Sequence, residues 1–149
     1  LEPDEMDFLA AHRDTMSRVY CPRTHAFFGH ANYPLAGLID RGVNVALGTD
    51  SRASNPDLNL LSEMQYVARH HPGVASDIVL QMVTIAGARA LGQDRQTGSL
   101  VEGKRADIAV VSLPDADAPN PYELLWDSDR HVVATMCAGQ WVGGVVPSD

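Results

Sequence analysis

The most constraining stretch of this chain is Val43-Asn44-Val45-Ala46-Leu47-Gly48-Thr49-Asp50-Ser51. An apolar run of this kind reads as a strand covered on both faces, the pattern of a buried parallel sheet. It stops at Gly-Thr-Asp, so a lone carboxylate sits where the strand ends. In α/β barrels the groups that do chemistry stand at the C-terminal ends of the strands. Asp50 is therefore the first candidate for a catalytic or metal-ligating residue. Its structural alternative is a cap on the next helix or a turn.

The segments around it alternate between helix and strand. Pro3 suits a first helical turn, Asp4 and Glu5 suit its positive end, and Met6, Leu9 and Ala10 mark one face. Residues 17–21 form a short strand stopped by Pro22, and residues 22–32 are expected to be a loop rich in reactive side chains. A short helix over 33–41 turns Leu35, Leu38 and Ile39 inward and closes at Gly42. After Asp50, Asn55-Pro56 reads as a helix cap and first helical proline. Leu60, Leu61, Met64, Val67 and Ala68 then follow a helical stripe to His70-His71-Pro72-Gly73. Ser76 is expected to cap the next helix, and Thr84 a shorter one closed by Gly92. Helices alternating with strands imply a parallel sheet with crossovers.

Near residue 92 the pattern changes. Residues 98–105 read as a turn and 106–111 as a strand; a Pro/Asp/Ala loop, a helical turn over 122–126 and strands over 131–137 and 140–146 follow, the last two joined at Ala138-Gly139. A boundary is placed there, with an α/β part over 1–92 and a mostly β part over 93–149.

Composition excludes more than it selects. The net charge is −8, from 11 basic and 19 acidic residues. No cluster of Lys and Arg provides the basic patch of a nucleic-acid surface. No apolar run reaches the roughly eighteen residues of a membrane span, and the start lacks a signal-peptide pattern. Leu1 is not an initiator Met, so an upstream segment is compatible with the sequence. Cys21 and Cys137 lie far apart in apolar runs, which predicts buried free thiols and a reducing, cytoplasmic setting. Gly98-Ser-Leu-Val-Glu-Gly103-Lys104-Arg105 approaches phosphate-loop spacing, but Arg105 replaces the Ser or Thr, Glu102 repels phosphate, and a strand follows where that motif needs a helix. In the segment after Cys21, His25 and His30 are placed to meet a substrate or a metal, with pairing to backbone as the plainer role. The irregular spacing between them fixes no shared ligand geometry. His12, His70, His71 and His131 are read as surface or structural.

Cys21-Pro22-Arg23-Thr24-His25, the Gly42 to Ser51 run, Leu60-Leu61-Ser62-Glu63-Met64, the stretch from Met82 to Gly92 and Gly98 to Val110, taken in this order, resemble the C-terminal part of an amidohydrolase-superfamily enzyme. The likeness is to the metal-dependent deaminase and chlorohydrolase branch, with cytosine, guanine and aminofutalosine deaminase-like members. The resemblance implies an α/β fold in which residues 17–21 and 43–49 are strands seven and eight of a (β/α)8 TIM barrel, followed by part of a small β-sandwich. It implies that Asp50 ligates one divalent transition metal, zinc with iron as the alternative, and shuttles protons, while Arg23 and His25 bind substrate. His25 stands where the common pattern of the branch has Asn, which bears on the substrate; a Cys-Pro-Arg-Ser-His variant occurs among aminofutalosine-type deaminases. The other metal ligands of the superfamily belong to strands outside this chain. The expected activity is deamination of an aminated N-heterocycle or nucleoside by metal-activated water, carried out together with the missing N-terminal barrel portion, in a protein that can form a homo-oligomer. The alternative is a non-catalytic fragment that folds or associates with a partner.

Overall fold

The computed structural model describes residues 1–127 and 129–144. Helix α1 (Pro3–Ala11) leads into strand β1 (Ser17–Tyr20), then α2 (Pro22–Phe27), α3 (Leu35–Asp40) and strand β2 (Asn44–Leu47). Helices α4 (Leu60–His70), α5 (Ser76–Val83) and α6 (Ile85–Ala90) follow, and then β3 (Ile108–Val111), a 3-10 helix (Pro121–Leu125), β4 (Val132–Cys137) and β5 (Gln140–Gly144).

Strands β1 and β2 pair in parallel, from Ser17 opposite Asn44 to Tyr20 opposite Leu47. A parallel pair needs a crossover connection, and here α2 and α3 supply it. Gly48 is required by the close approach of the two strands: an added Cβ would meet Val19 Cγ1 at 2.9 Å and Cys21 Sγ at 3.1 Å. The Asn44 amide donates to Ser17 Oγ at 2.9 Å and to the Ala86 carbonyl at 3.0 Å, tying the start of β2 to β1 and to α6. The core lies between β2 and the helices. Leu38, Val67 and Val79 are fully buried there, with Leu35, Val45, Leu47, Leu61, Met64 and Met82 around them. Each such side chain contributes about 1.5–3 kcal/mol relative to exposure.

Strands β3, β4 and β5 form an antiparallel sheet. Ala138 and Gly139, both at positive φ (49° and 80°), make the hairpin turn between β4 and β5, where left-handed geometry matches the twist of the strands. This part is fastened to the first. Trp126 Nε1 donates to Ser76 Oγ at 3.1 Å, Gln65 Nε2 donates to the Leu125 and Asp127 carbonyls, and Val111, Leu125 and Trp126 pack on the main core. The turn over residues 98–105 runs into β3, as expected, and Lys104 Nζ is spent on the Thr97 carbonyl and Ser99 Oγ within that turn.

Several local expectations are corrected. Residues 22–27 are helical, because Pro22 at the first position presets φ and the chain turns directly off the strand. Asn59 rather than Asn55 caps α4, accepting from the Leu61 and Ser62 amides. Asn55 is buried, and its amide is used elsewhere. Ser76 is the first residue of α5, with Ala75 in the cap position, and its hydroxyl accepts from Trp126 instead. Thr84 holds the N-cap position of α6, as expected, but its hydroxyl makes no capping bond and donates back to the Leu80 carbonyl. Both thiols are free, as expected, but neither is fully buried: Cys21 is half-buried, and Cys137 is exposed because it ends β4 where the sheet turns over. Val145 and Val146, expected in the last strand, lie outside the described residues. Among the described residues no helix is long and apolar enough to cross a membrane.

Candidate active site

Asp50 stands just beyond the end of β2, exposed, at φ 56°. That left-handed conformation is uncommon outside glycine, with Asp among the residues that tolerate it. It turns the chain sharply off the strand. Asp50 Oδ2 accepts from Ser54 Oγ at 3.1 Å. No donor reaches Oδ1 among the described residues.

A buried polar network supports this turn. Glu63 is fully buried on α4. Its carboxylate accepts from the Arg23 backbone amide at 3.1 Å, from Arg23 Nε at 2.7 Å and from Asn55 Nδ2 at 2.6 Å. A buried carboxylate survives only when paired and hydrogen-bonded in this way. Asn55 Nδ2 also donates to the Thr49 carbonyl at 2.8 Å. Thr24 and Ser54, both buried, bring their hydroxyls within 3.2 Å of each other, and Thr24 Oγ1 lies 3.4 Å from the Thr49 carbonyl. The residues before and after Asp50 are thus held by groups from α2 and α4.

Arg23 is the hub of that network. Besides Glu63, its terminal nitrogens donate to both oxygens of Asp57, at 3.2 and 2.5 Å, and to the Asn59 carbonyl at 3.3 Å. The bond to Asp57 raises the Arg23 pKa and holds the Asp57 carboxyl below its ordinary value. What the guanidinium shows in this structure is bracing of the 50–59 loop.

His25 is placed differently. Its ring meets Tyr20 edge-on at 5.7 Å and Tyr33 at 5.6 Å, and lies 5.2 Å from His30. Tyr20 and Tyr33 are stacked at 3.9 Å. These rings line a cleft of about 180 Å³ with Thr24 and Phe28. Desolvation, and then the neighbouring His30, lower the His25 pKa, which favours the neutral ring. Burial pushes the Tyr20 hydroxyl up to about 12, and it pairs with His71 Nε2 at 3.2 Å. His71 thus takes a structural part, as expected. Thr24 is the residue of this segment that reaches the Asp50 turn, while His25 faces the tyrosines.

Among the described residues no group of three or more His, Cys, Asp or Glu side chains is placed to hold a metal ion. Asp50 offers one carboxylate oxygen without a donor, which fits one ligand of a larger set and does not make a site alone.

Sequence reasoning assigns no site role to Thr24, Ser54, Asn55 or Glu63, although Thr24 and Glu63 lie within the motifs that carry the resemblance. One signal was present: Glu63 falls on the same helical stripe as Leu60, Met64 and Val67, and a charged residue on an apolar face calls for a partner.

Residues 1–142 match the amidohydrolase family. The chain is 36% identical over 137 residues to a 5-methylthioadenosine/S-adenosylhomocysteine deaminase of Teredinibacter turnerae, covering 85% of this chain and 30% of that protein. It is 38% identical over 120 residues to the enzyme so named from Pyrococcus furiosus, covering 76% and 28%. Among solved structures, a zinc-bound adenosine deaminase from Xanthomonas campestris superposes with a TM-score of 0.85 at 29% identity, over 95% of this chain and 34% of that one. A variant of atrazine chlorohydrolase from Arthrobacter aurescens, complexed with zinc and atraton, gives 0.81 at 26%, over 97% and 34%. The chain belongs to the amidohydrolase family. It spans about three-tenths of the length of the relatives it matches.

Proposed function

We propose that this chain is the C-terminal segment of a metal-dependent deaminase, and that Asp50 is both its metal ligand and its proton-transfer group. The observation that carries the reading is the Asp50 carboxylate at the end of a buried parallel strand, with Oδ2 held by Ser54 and Oδ1 without a donor. An uncommon backbone conformation at such a position supports a functional role. In this reading β1 and β2 are strands seven and eight of a (β/α)8 barrel, residues 1–92 belong to the barrel, and residues 93–149 are part of a composite β-sandwich. Among the described residues strand β1 pairs with β2 alone, and Val19 is 52% exposed, unlike a residue on a parallel strand inside a covered sheet. Six further strands from the missing N-terminal portion, with the other metal ligands, would complete the enclosure.

A divalent transition metal, zinc as in the solved neighbours or iron, supplies when bound a water acidic enough to ionise near neutral pH. Asp50 Oδ1, which has no donor among the described residues, would accept a proton from that water as it adds to the amidine-like carbon of the substrate, and would return that proton to the departing amine. One positioned carboxylate serves both transfers because it is base in the first and acid in the second. Arg23 supports the loop that carries Asp50. His25, neutral and walled by Tyr20 and Tyr33, is the polar group that selects the substrate. The relatives' names favour an adenosine-type nucleoside, with other aminated N-heterocycles as the wider class; a cytoplasmic setting and a homo-oligomer are further parts of the proposal that the names do not address. The test is ammonia release by the full-length parent protein on a panel of aminated purines, pyrimidines and nucleosides. Turnover of adenosine-type nucleosides is expected, and no release from any of them overturns the reading.

A further inference from the structure

The hydrogen bond on Asp50 sorts its two oxygens. Ser54 has one hydroxyl proton, and a carboxylate can only accept, so that proton goes to Asp50 Oδ2. With its proton so placed, Ser54 Oγ can only accept from Thr24 Oγ1, at 3.2 Å, a shorter contact than the 3.4 Å from Thr24 Oγ1 to the Thr49 carbonyl. Both hydroxyls are buried, Ser54 at 6% and Thr24 at 7% exposure, while the carboxylate they serve is at the surface. Beneath them the Arg23, Asn55 and Glu63 network holds the Thr49 carbonyl and the start of α2. An exposed carboxylate is thereby anchored through one oxygen to the rigid interior, and rotation about its side-chain bonds is restricted.

We propose that Ser54 is a positioning residue for the reaction: its hydroxyl, oriented by Thr24, pins Oδ2 of Asp50 and leaves Oδ1 as the oxygen that works. The proposal rests on the role given to Asp50 above. Groups that orient a metal ligand or a proton-transfer group typically govern metal affinity and activity by 10–100-fold. Ser54 does so without touching substrate.

The experiment uses the full-length parent protein, loaded with zinc, and four variants: Ser54→Ala, Ser54→Thr, Thr24→Val and Asp50→Asn. Zinc affinity is read by competition with a chelator, and kcat and KM on the best nucleoside of the panel. Ser54→Ala is expected to weaken zinc binding and lower kcat by about tenfold each, with KM nearly unchanged. Ser54→Thr, which keeps the hydroxyl, is expected to restore both, and Thr24→Val to fall between Ser54→Ala and the parent. If Asp50→Asn is severely impaired while Ser54→Ala matches the parent in zinc affinity and kcat, positioning by Ser54 is overturned and the role of Asp50 stands. Ser54→Thr as impaired as Ser54→Ala overturns it too, since packing and not the hydroxyl would then be the cause. Full activity of Thr24→Val removes the Thr24 part. If Asp50→Asn matches the parent in both readouts, the function assigned to Asp50 falls, and the Ser54 proposal with it.

Discussion

At the scale of single residues, the proposed roles of Asp50 and Glu63 follow from how differently the two acids are held. Asp50 is exposed, bent into left-handed backbone and bonded through one oxygen; Glu63 is the same kind of acid made wholly structural by burial and three donors. Asp50→Asn in the parent protein is nearly isosteric, so the fold should persist while kcat falls by at least ~10²-fold, the usual scale for a lost general acid or base. Near-normal turnover would refute the assignment. His25 makes a different prediction. A polar group matched to one substrate hydrogen bond discriminates against analogues that lack it. His25→Asn should reorder kcat/KM across the nucleoside panel more than it lowers the best value. An unchanged ranking would reduce His25 to a packing partner of Tyr20 and Tyr33.

At the scale of elements, short pieces are held by side chains that reach across the chain. Helix α2 is only one and a half turns long, below what helix propensity sustains alone, and Glu63 from α4 satisfies one of its unpaired amides. The turn before β3 is closed in the same manner. The Asp107 carboxylate accepts from Arg105 Nε at 2.6 Å, from the Ala138 amide at 2.8 Å and from Thr97 Oγ1 at 3.0 Å. Arg105 is the largest cause of a pKa lowered to about 2. A depressed folded pKa means that the unfolded segment takes up protons first as pH falls. The contribution is therefore fully present above the unfolded value near 3.8 and disappears as pH drops through about 2. In hydrogen exchange on the parent protein, protection of the β3–β4 segment should exceed that of Asp107→Asn above pH 4 and converge with it toward pH 2. A difference that does not change over that interval would show that the ion pair is not its source.

At the scale of the whole molecule, a packed core coexists with uncovered apolar surface. Val19, Phe8, Phe27, Phe28, Leu91 and Leu100 are exposed, and among the described residues β1 pairs with β2 alone. Open strand edges and apolar surface favour association. A barrel of this class needs about 250 residues, and a catalytic zinc about three protein ligands. Residues 1–149 expressed alone are therefore expected to carry no stoichiometric metal, to release no ammonia and to self-associate. Elemental analysis, light scattering and an ammonia assay beside the parent protein check this. A monodisperse monomer with bound metal and turnover would mean that the site lies elsewhere.

The sequence by itself determined what is local or repeated at short range. The apolar run ending at Asp50, the stripe Leu61, Met64, Val67 and the breaks at Gly42 and Gly92 were legible because burial periodicity and glycine backbone freedom act over a few residues. So was family membership, carried by the order of several motifs. Only the tertiary structure decided which polar residue serves which partner. Asn55 reads as a helix cap and instead joins Thr49 to Glu63; Arg23, a substrate ligand by the resemblance, donates to Asp57, Asn59 and Glu63; Ser54, which no motif singles out, donates to Asp50 and lies against Thr24. Each of these pairings spans a turn or a crossover, and a hydroxyl, amide or guanidinium can satisfy the same bonds with many partners. Its choice is made by the folded chain, which brings one donor and one acceptor within about 3 Å and excludes water from both.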